Sequence, residues 1–565
     1  MLSYRKLAMR VLGRPLHTGG GIDSPRPASQ RAAAFILTAA MLTTFTAPAF
    51  AKTWYIEDGD ITISASETKG TNKVSQGAEP EVEDTGTIIT NREKDASSHT
   101  VTINAEDKND KVEVTLKDVN IDTSSRNNAA VSVTGSGNTT IKLDGDNHLT
   151  GGISDNGSYG LSGISSSGSL TISGGETDSL TAQGGSGTDG SGGRGIFSKD
   201  LTISGGTVNA NGGDGKNGSG GSGITSLGSL TISGGTVNAA GGDGTNSSDG
   251  GDGITNNRGV TISSGGTVTA KGGSGEDGSG GRGISSFGGV TISSGGTVTA
   301  TGGNSTGSDG SGGDGISSTS TTISGGTVTA DGGSGNFSGG NGIRSFDVAI
   351  SGGTVNVAGG NGGNGSGSDV GNGIYSSDID LSGSLELTAK AGSPNGKALS
   401  QRGNELDPDD IKDKLGPGAK VTAINANGDS KQVSIPRPVE PEEPVIPGDS
   451  SSSSGGGSAD ASVQESVFPG LVVTDKDGQR ISYTSIRGNN VLSLRVGRFT
   501  ASLHASLSTL RQLRAEGIET ITFQTILCST TLSVDELLAM GGEDAEVVLT
   551  HHIRSSTLTV GGKAV

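Results

Sequence analysis

Apolar residues recur along the middle of the chain in short runs that alternate with polar residues, and these runs repeat at a nearly fixed interval. In the unit 253–273 the runs are 254–255, 260–263 and 267–270, and each alternates with a period of two. Such alternation is typical of a short β-strand with one buried face. Gly pairs such as Gly265-Gly266 separate the runs, and a loop of Gly, Ser, Asp and Asn closes the unit. Each unit is therefore predicted to contain three strands and three corners.

A Gly-Ile pair marks the start of each unit and gives its length. The anchor Ile residues lie 27 to 32 residues apart, with a mean of 30, and are Ile164, Ile196, Ile224, Ile254, Ile284, Ile316, Ile343 and Ile374. Three strands in about 30 residues predict one coil of a parallel β-helix, whose coils stack about 4.8 Å apart. A propeller blade would need about 40–50 residues and an aromatic signature. Disorder does not explain apolar positions that stay in phase over eight units.

Side-chain alternation within the strands assigns an inside and an outside to the predicted coil. One predicted internal ladder contains Ile172, Ile203, Ile232, Ile262, Ile292, Ile323 and Ile350. Another combines Val208, Val237, Val268, Val298, Val328 and Val355 with Ala210, Ala239, Ala270, Ala300, Ala330 and Val357. These small aliphatic side chains would fill a narrow core without aromatic residues.

The N-terminus has the pattern of a secretory signal peptide. Arg31 precedes an apolar run over 32–42, and Ala49-Phe50-Ala51 forms an A-x-A cleavage site. The run is shorter than the roughly 20 apolar residues that a membrane-spanning helix needs. We therefore expect residues 1–51 to be removed and the mature chain to be secreted, without a membrane span or an anchor motif.

Changes in composition divide the rest of the chain. Residues 52–160 are predicted to form an N-terminal cap and irregular coils, 161–395 the regular repeats, and 396–435 the closure of the β-helix. A linker rich in Pro, Ser and Gly follows over 436–460. Residues 461–565 are predicted to form a small α+β domain, with a hairpin at 471–483, helices at 507–515 and after Ser533, and strands at 521–526, 547–553 and 557–560.

Composition and charge argue against several classes of protein. Gly accounts for 103 of 565 residues and aromatic residues for only 3%, which disfavours the core of an ordinary globular enzyme. Cys528 is the single Cys, so no disulfide can form within the chain. The net charge is −19, and residues 52–460 carry −23 because 1–51 carry +5 and 461–565 carry −1. Nucleic acid and anionic membrane surfaces are therefore poor candidate partners.

Candidate ligand-binding residues lie in the outward column that directly follows each anchor Ile. The column reads Ser165, Phe197, Thr225, Thr255, Ser285, Ser317, Arg344 and Tyr375. Flat rings beside hydroxyl groups can stack on the C–H face of a sugar, which makes Phe197 and Tyr375, with Thr225, Thr255 and Arg344, the predicted ligand-binding residues. The column contains no His and no pair of carboxylates, so no catalytic residues are predicted.

Other aromatic and histidine residues are given structural roles. Phe287 and Phe346 lie three residues after their anchor Ile and are expected to pack a corner, and Trp54 is expected to belong to the N-terminal cap. His551 and His552 are adjacent in a predicted strand, where neighbouring side chains face opposite sides, so together they are a poor metal chelate.

The sequence also resembles a known family. The run 138–147, Asn-Thr-Thr-Ile-Lys-Leu-Asp-Gly-Asp-Asn, precedes units of the form Leu/Val-Thr-Ile-Ser-Gly-Gly-Thr-Val that end in Gly-Asp-Gly-Ile. This pattern resembles that of secreted bacterial carbohydrate-binding β-helix proteins and covers about residues 53–395. The resemblance implies a right-handed parallel β-helix, bound calcium and a role as a polysaccharide-binding adhesin. The Asp-Gly-Ile signature itself is intact at Asp252 and Asp314.

Acidic residues in the Gly-rich corners are the candidate calcium ligands. They are Asp214, Asp243, Asp252 and Asp314. Carboxylate and carbonyl oxygens are the ligands that Ca²⁺ prefers. Asp is also common in turns because it forms local hydrogen bonds, and the sequence leaves both interpretations open.

Together these features predict a secreted, non-catalytic protein that binds a polysaccharide or glycan surface through an extended β-helix face. A β-helical polysaccharide lyase or hydrolase is an alternative, and a structural surface spacer is another. Outward Thr pairs such as Thr267 and Thr269 resemble the ice-binding face of some β-helical antifreeze proteins, although exposed strands favour Thr in general. The sequence therefore favours glycan binding and leaves these alternatives to experiment.

Overall fold

The computed structural model describes residues 52–436, except 156, 247, 264, 294 and 364–370, and residues 471–564, except 476–478, 482, 488–489, 497, 499, 526–528, 541–545, 553–555 and 562. The predicted signal peptide, Cys528 and almost all of the predicted linker lie outside the described residues. The chain divides into two compact units, 1–441 and 442–565. No helix within the described ranges combines the length and the apolar character that crossing a membrane requires.

The first unit is a parallel β-solenoid of about 13 turns, as the repeat predicts. Its strands form three faces, termed A, B and C. The separate strands of face A are Ile61–Ala65, Val101–Ala105, Val131–Gly135, Ile164–Ser166, Ile196–Ser198, Ile224–Ser226, Ile254–Asn256 and Leu399–Gln401. Those of face B are Thr53–Tyr55, Thr87–Thr90, Lys111–Lys117, Asn138–Asp144, Ser169–Ser173, Asp200–Ile203, Ser229–Ile232 and Gly259–Ile262.

Face C and the later coils complete the solenoid. The separate strands of face C are Asn120–Asp122, Asp146–Thr150, Ser179–Gln183, Thr207–Asn211, Thr236–Ala240, Thr267–Lys271, Thr297–Thr301 and Lys420–Ile424. In the later coils one strand continues around the corners. Ile284–Ile292 belongs to faces A and B. Three longer strands each run through all three faces, and they are Ile316–Asp331, Ile343–Ala358 and Ile374–Lys390.

In-register pairing stacks the predicted apolar ladders. Each anchor Ile pairs with the anchor Ile of the next coil and is fully buried. The same ladder continues beyond the sequence repeat, to Val131, Val101 and Ile61 at one end and to Leu399 at the other. The two predicted internal ladders are confirmed, since all of their members are buried. A register shift of one residue would expose a whole ladder, and this fixes the pairing.

Antiparallel strands close both ends of the solenoid. At the N-terminal end Ile61–Ala65 pairs with Asn72–Gln76, which pairs with Val82–Asp84, and a 3₁₀ helix spans Ile56–Asp58. Trp54 is buried in this cap, as predicted, and its Nε1 donates to Asp84 Oδ2 at 2.8 Å. At the C-terminal end the closing elements are Asn404–Glu405, the 3₁₀ helix Pro408–Lys414 and Ser430–Ser434. These elements cover strand edges that could otherwise pair with another chain.

The corner between faces C and A is built from closely packed Gly backbone. The N–H of Gly251 donates to the carbonyl of Gly242, that of Gly273 to Gly251, and that of Gly281 to Gly273, at 2.8–2.9 Å. A Cβ atom on Gly273 would lie 2.0 Å from the Gly242 carbonyl oxygen. The high Gly content therefore follows from the close approach of successive coils.

The second unit contains two sheets and two helices among its described residues. One sheet contains Leu471–Thr474, Ala501–Ser506, Glu546–His551, Ser556–Val560 and Lys563–Ala564, and the other contains Thr484–Arg487, Val491–Arg495, Thr520–Gln524 and Ser529–Ser533. The helices are Leu507–Ala515 and Val534–Met540. In the described part of the predicted hairpin, Thr474 and Arg480 form an antiparallel bridge, and the N–H groups of Asp475 and Ile481 donate to the carbonyls of Gln479 and Val473 at 2.9 Å.

Candidate functional site

Two columns of side chains run along the solenoid beside the Gly-rich corner. The first column is the residue two positions before each anchor Ile and reads Ser162, Arg194, Ser222, Asp252, Arg282, Asp314, Asn341 and Asn372. The second is the outward column that follows each anchor Ile. Because the strands of face A pair in register, each column is straight and rises by about 4.8 Å per coil.

A groove of about 760 Å³ follows these columns across six coils, from Ser222 to Asn372. We term it the corner groove. Five coil steps give it a length of about 24 Å. Its walls combine Gly backbone and Ser hydroxyls with the side chains of Asp252, Arg282, Asp314, Asn341 and Asn372, and Phe337, Arg344 and Tyr375 lie towards one end.

Carboxylate and amide side chains of the first column bind the backbone of the next coil. Asp252 Oδ1 accepts the backbone N–H of Arg282 at 2.7 Å, and Asp314 Oδ1 accepts that of Asn341 at 2.8 Å. Asn341 Oδ1 accepts the backbone N–H of Asn372 at 3.0 Å. This ladder holds the polar wall of the groove in place.

The groove carries alternating charges in neighbouring coils. Arg282 lies between two acidic coils, and its Nε is 3.9 Å from Asp314 Oδ2. Burial raises the pKa of the Asp252 carboxyl, while the hydrogen bond from the backbone of Arg282 and the guanidinium charge act in the opposite direction. Asp314 is only 5% exposed, so it presents little surface to a ligand. The exposed cationic side chains of this wall are therefore its more accessible charged groups.

The structure brings Tyr375, Arg344, Asp252 and Asp314 together in the corner groove. Tyr375 is 38% exposed, and the Arg344 guanidinium carbon lies 6.0 Å from the centre of its ring. Thr255 lies beside the groove and donates to Asp252 Oδ2 at 3.0 Å. Tyr375, Arg344, Asp252 and Asp314 thus line one surface. Thr255 supports this surface through its hydrogen bond to Asp252.

Phe197 and Thr225 lie outside the lining of the corner groove; Phe197 belongs to the coil before the groove, and Thr225 to its first coil. The Arg194 guanidinium carbon is 5.2 Å from the Phe197 ring centre, and burial lowers the pKa of this guanidinium. Thr225 is 6% exposed, and its buried hydroxyl has no hydrogen-bond partner within the described residues. Thr225 therefore presents little surface to a ligand, whereas the half-buried ring of Phe197 continues the outward column beyond the groove.

Asp214 and Asp243 lie in another part of the Gly-rich corner and are not lining residues of the groove. Asp214 Oδ1 accepts the backbone N–H of Asp243 at 2.9 Å, and Asp243 Oδ1 accepts that of Ser274 at 2.7 Å. The described part of the chain shows no cluster of three or more His, Cys, Asp or Glu side chains placed to hold a metal ion. The two carboxylates thus resemble the ladder of the first column, with a structural role in coil stacking.

The structure corrects one expectation and adds residues that the sequence did not single out. Phe287 and Phe346, expected to pack a corner, lie where the chain leaves face A, but they are 73% and 64% exposed, so their rings project into solvent. Arg282, Asn341 and Asn372 line the groove, although their residue types alone carry no signal of binding. Their position before the anchor Ile could have identified them.

Comparison of the chain with protein-family models, with characterised proteins and with solved structures finds no match. The functional argument therefore depends on the groove and on the surface of the solenoid.

Proposed function

We propose that the protein is a secreted, non-catalytic binder of polysaccharide that holds an extended glycan chain in the corner groove. The observation that carries the proposal is the convergence of Tyr375, Arg344 and the Asp and Asn ladder on one groove that crosses six coils. Sugars present many hydroxyl groups, which pair with fixed carboxylates, amides and guanidinium groups, and a C–H face, which stacks on an aromatic ring.

The shape of the groove favours a chain over a small molecule. Its length of about 24 Å exceeds that of a monosaccharide, and its polar groups repeat at the coil spacing. Many weak contacts along a chain act together, so affinity should rise with the number of sugars. The net charge of the solenoid favours a neutral glycan.

Several finer features belong to the same proposal. We expect the coils to wind in the right-handed sense and residues 461–565 to form an accessory α+β domain.

We also propose that calcium is bound through the carboxylates of Asp214 and Asp243, which lie in adjacent coils. Each has one oxygen committed to a backbone N–H, and further ligands would have to come from carbonyl groups or water.

A polysaccharide hydrolase is the second candidate, and one observation favours it. Asp252 and Asp314 both line the groove and lie two coils apart, about 10 Å along the solenoid. This spacing lies just beyond the roughly 6.5–9.5 Å that separates the two carboxyl groups of inverting hydrolases, and the raised pKa of Asp252 suits a general acid. Asp314 argues against this role because its Oδ1 already accepts two hydrogen bonds from Asn341.

Retention on insoluble polysaccharides tests the proposal. The purified chain is mixed with cellulose, pectin, xylan, chitin and mucin, with Ca²⁺ and with chelator, and the supernatant is assayed for released reducing ends. Selective retention without release supports the binder, and loss of retention in chelator supports calcium. Release of reducing ends that disappears in Asp252→Asn would identify the hydrolase, and no retention on any glycan would refute the proposal.

A further inference from the structure

A row of exposed apolar side chains runs along the solenoid at the corner that follows face A. Its members stand three residues after an anchor Ile, and they are Leu227, Phe287 and Phe346, which are 45%, 73% and 64% exposed. We term it the alternate-coil row, since its members belong to every second coil. The intervening coils place the exposed polar residues Asn257 and Thr319 at the same position. Isolated exposed apolar residues are common, but their recurrence at one position of every second coil is not explained by that tendency.

Contacts with neighbouring coils fix the backbone of the row. The Thr319 hydroxyl donates to the Phe287 carbonyl at 2.6 Å, and the Ser376 hydroxyl donates to the Phe346 carbonyl at 2.9 Å. The pairing register shifts between Ser286 and Gly289, so that Phe287 lies in an irregularity of the kind that redirects a side chain. The rings therefore project outward from a backbone that is already ordered.

The spacing of the row identifies the ligand that fits it. Members two coils apart lie about 10 Å from one another along the solenoid. In a β-1,4-linked pyranose chain each sugar is turned by half a rotation from the last, so the same face recurs at every second sugar. Each sugar advances the chain by close to one coil spacing. Successive members of the row would thus meet the same face of alternate sugars.

We propose that the alternate-coil row is a second glycan-binding site that takes β-1,4-linked pyranose chains, a proposal that rests on the proposed function and names its ligand class. Charge supports a neutral ligand of this kind. The segment 52–460 carries −23, which disfavours polyanionic partners at low ionic strength. Apolar side chains stack on the C–H faces of neutral sugars without needing a counter-charge.

The test compares retention of the full chain and its variants on three insoluble glycans, with β-1,4, β-1,3 and α-1,4 linkages. The variant Leu227→Ala/Phe287→Ala/Phe346→Ala should lose retention on the β-1,4-linked glucan by at least about tenfold. The matched control, Asn257→Ala/Thr319→Ser, changes the same column in the intervening coils, keeps the hydroxyl that donates to the Phe287 carbonyl, and should bind as the unmodified chain does. All of these positions are exposed, and circular dichroism verifies that the variants are folded.

A spacing variant distinguishes binding that depends on the interval between the apolar side chains from nonspecific adsorption to the glycan. Asn257→Phe/Phe287→Ala keeps two rings but breaks the alternate-coil interval, and it should bind the β-1,4-linked glucan as weakly as the triple variant. Equal retention on all three glycans, or full retention by the spacing variant, would overturn the proposal. Tyr375→Ala changes the groove and not the row. If the triple variant keeps its retention while Tyr375→Ala loses it, the row is refuted and the groove stands; if neither loses it, both are refuted.

Discussion

Asp314 and Asn341 occupy the same column in adjacent coils, and one carboxylate oxygen of Asp314 accepts both the backbone N–H and the side-chain amide of Asn341, at 2.8 and 2.9 Å. Asp314 is buried. The bond therefore links two coils at the wall of the corner groove, where a ligand would depend on its rigidity.

Removing this acceptor should destabilise the solenoid. Asp314→Ala leaves two half-buried donors of Asn341 without their partner, at a cost of about 1–3 kcal/mol in the free energy of unfolding. Asp314→Asn keeps an acceptor and should cost less. Denaturant unfolding measures both, with Asp309→Ala in an exposed loop as the control. Equal stability of Asp314→Ala and the control would contradict the proposed role of the ladder.

The Gly-rich corner makes a sharper prediction. In Gly273→Ala the new Cβ would lie 2.0 Å from the Gly242 carbonyl oxygen, so neighbouring coils must separate. Loss of at least about 1–3 kcal/mol of stability is expected, as for other overpacked sites. Gly259→Ala is the control, because the nearest atom to its Cβ is 3.5 Å away. Thermal unfolding that ranks the two variants in the opposite order would show that the corner is not closely packed.

The N-terminal cap should show a pH-dependent stability. Burial raises the pKa of Asp60, but hydrogen bonds from Arg126 and Thr100 outweigh it and lower the pKa to about 2. A carboxyl with a lowered pKa contributes stability that is present above its ordinary value of 3.8 and is lost as the pH falls through about 2. Asp60→Asn should therefore unfold more easily than the unmodified chain at pH 7, and the difference should shrink near pH 2. A difference that does not change with pH would contradict this account.

His551 should make the second unit sensitive to acid at a higher pH than Asp60 does in the N-terminal cap. The side chain is fully buried, burial lowers its pKa, and its Nε2 lies 2.9 Å from the Thr530 hydroxyl. Because the unfolded chain binds the proton more readily, stability is full above the ordinary pKa of 6.5 and declines as the pH falls below it. Denaturant unfolding between pH 8 and pH 5 should show a decline that His551→Gln reduces. An equal decline in both proteins would assign the effect to other groups.

The sequence predicts the solenoid well because one signal is repeated many times. The anchor Ile of each unit fixes the register of face A, and alternation then places Ile262 and Val268 inside. Alternation states only which side of a strand a residue faces. Alternation could not show that the rings of Phe287 and Phe346 are exposed to solvent. Their exposure depends on how the backbone turns at the corner after face A.

The candidate site was predictable only in part, for a related reason. Tyr375 and Arg344 stand in a column that the sequence defines, and the structure places both in the groove. The bonds from Asp314 to Asn341 join residues of successive coils. They depend on the conformation of a Gly-rich loop, which has little periodic signal.

The central claim is that the corner groove holds a polysaccharide, and affinity electrophoresis in gels that contain soluble polysaccharides tests it most directly. At least one polysaccharide should retard the full chain. Tyr375→Ala should weaken that retardation by about tenfold in dissociation constant, whereas Tyr159→Ala, which removes an exposed ring outside the groove lining, should not. Unretarded migration of the full chain in every gel, or equal retardation of the two variants, would contradict the account.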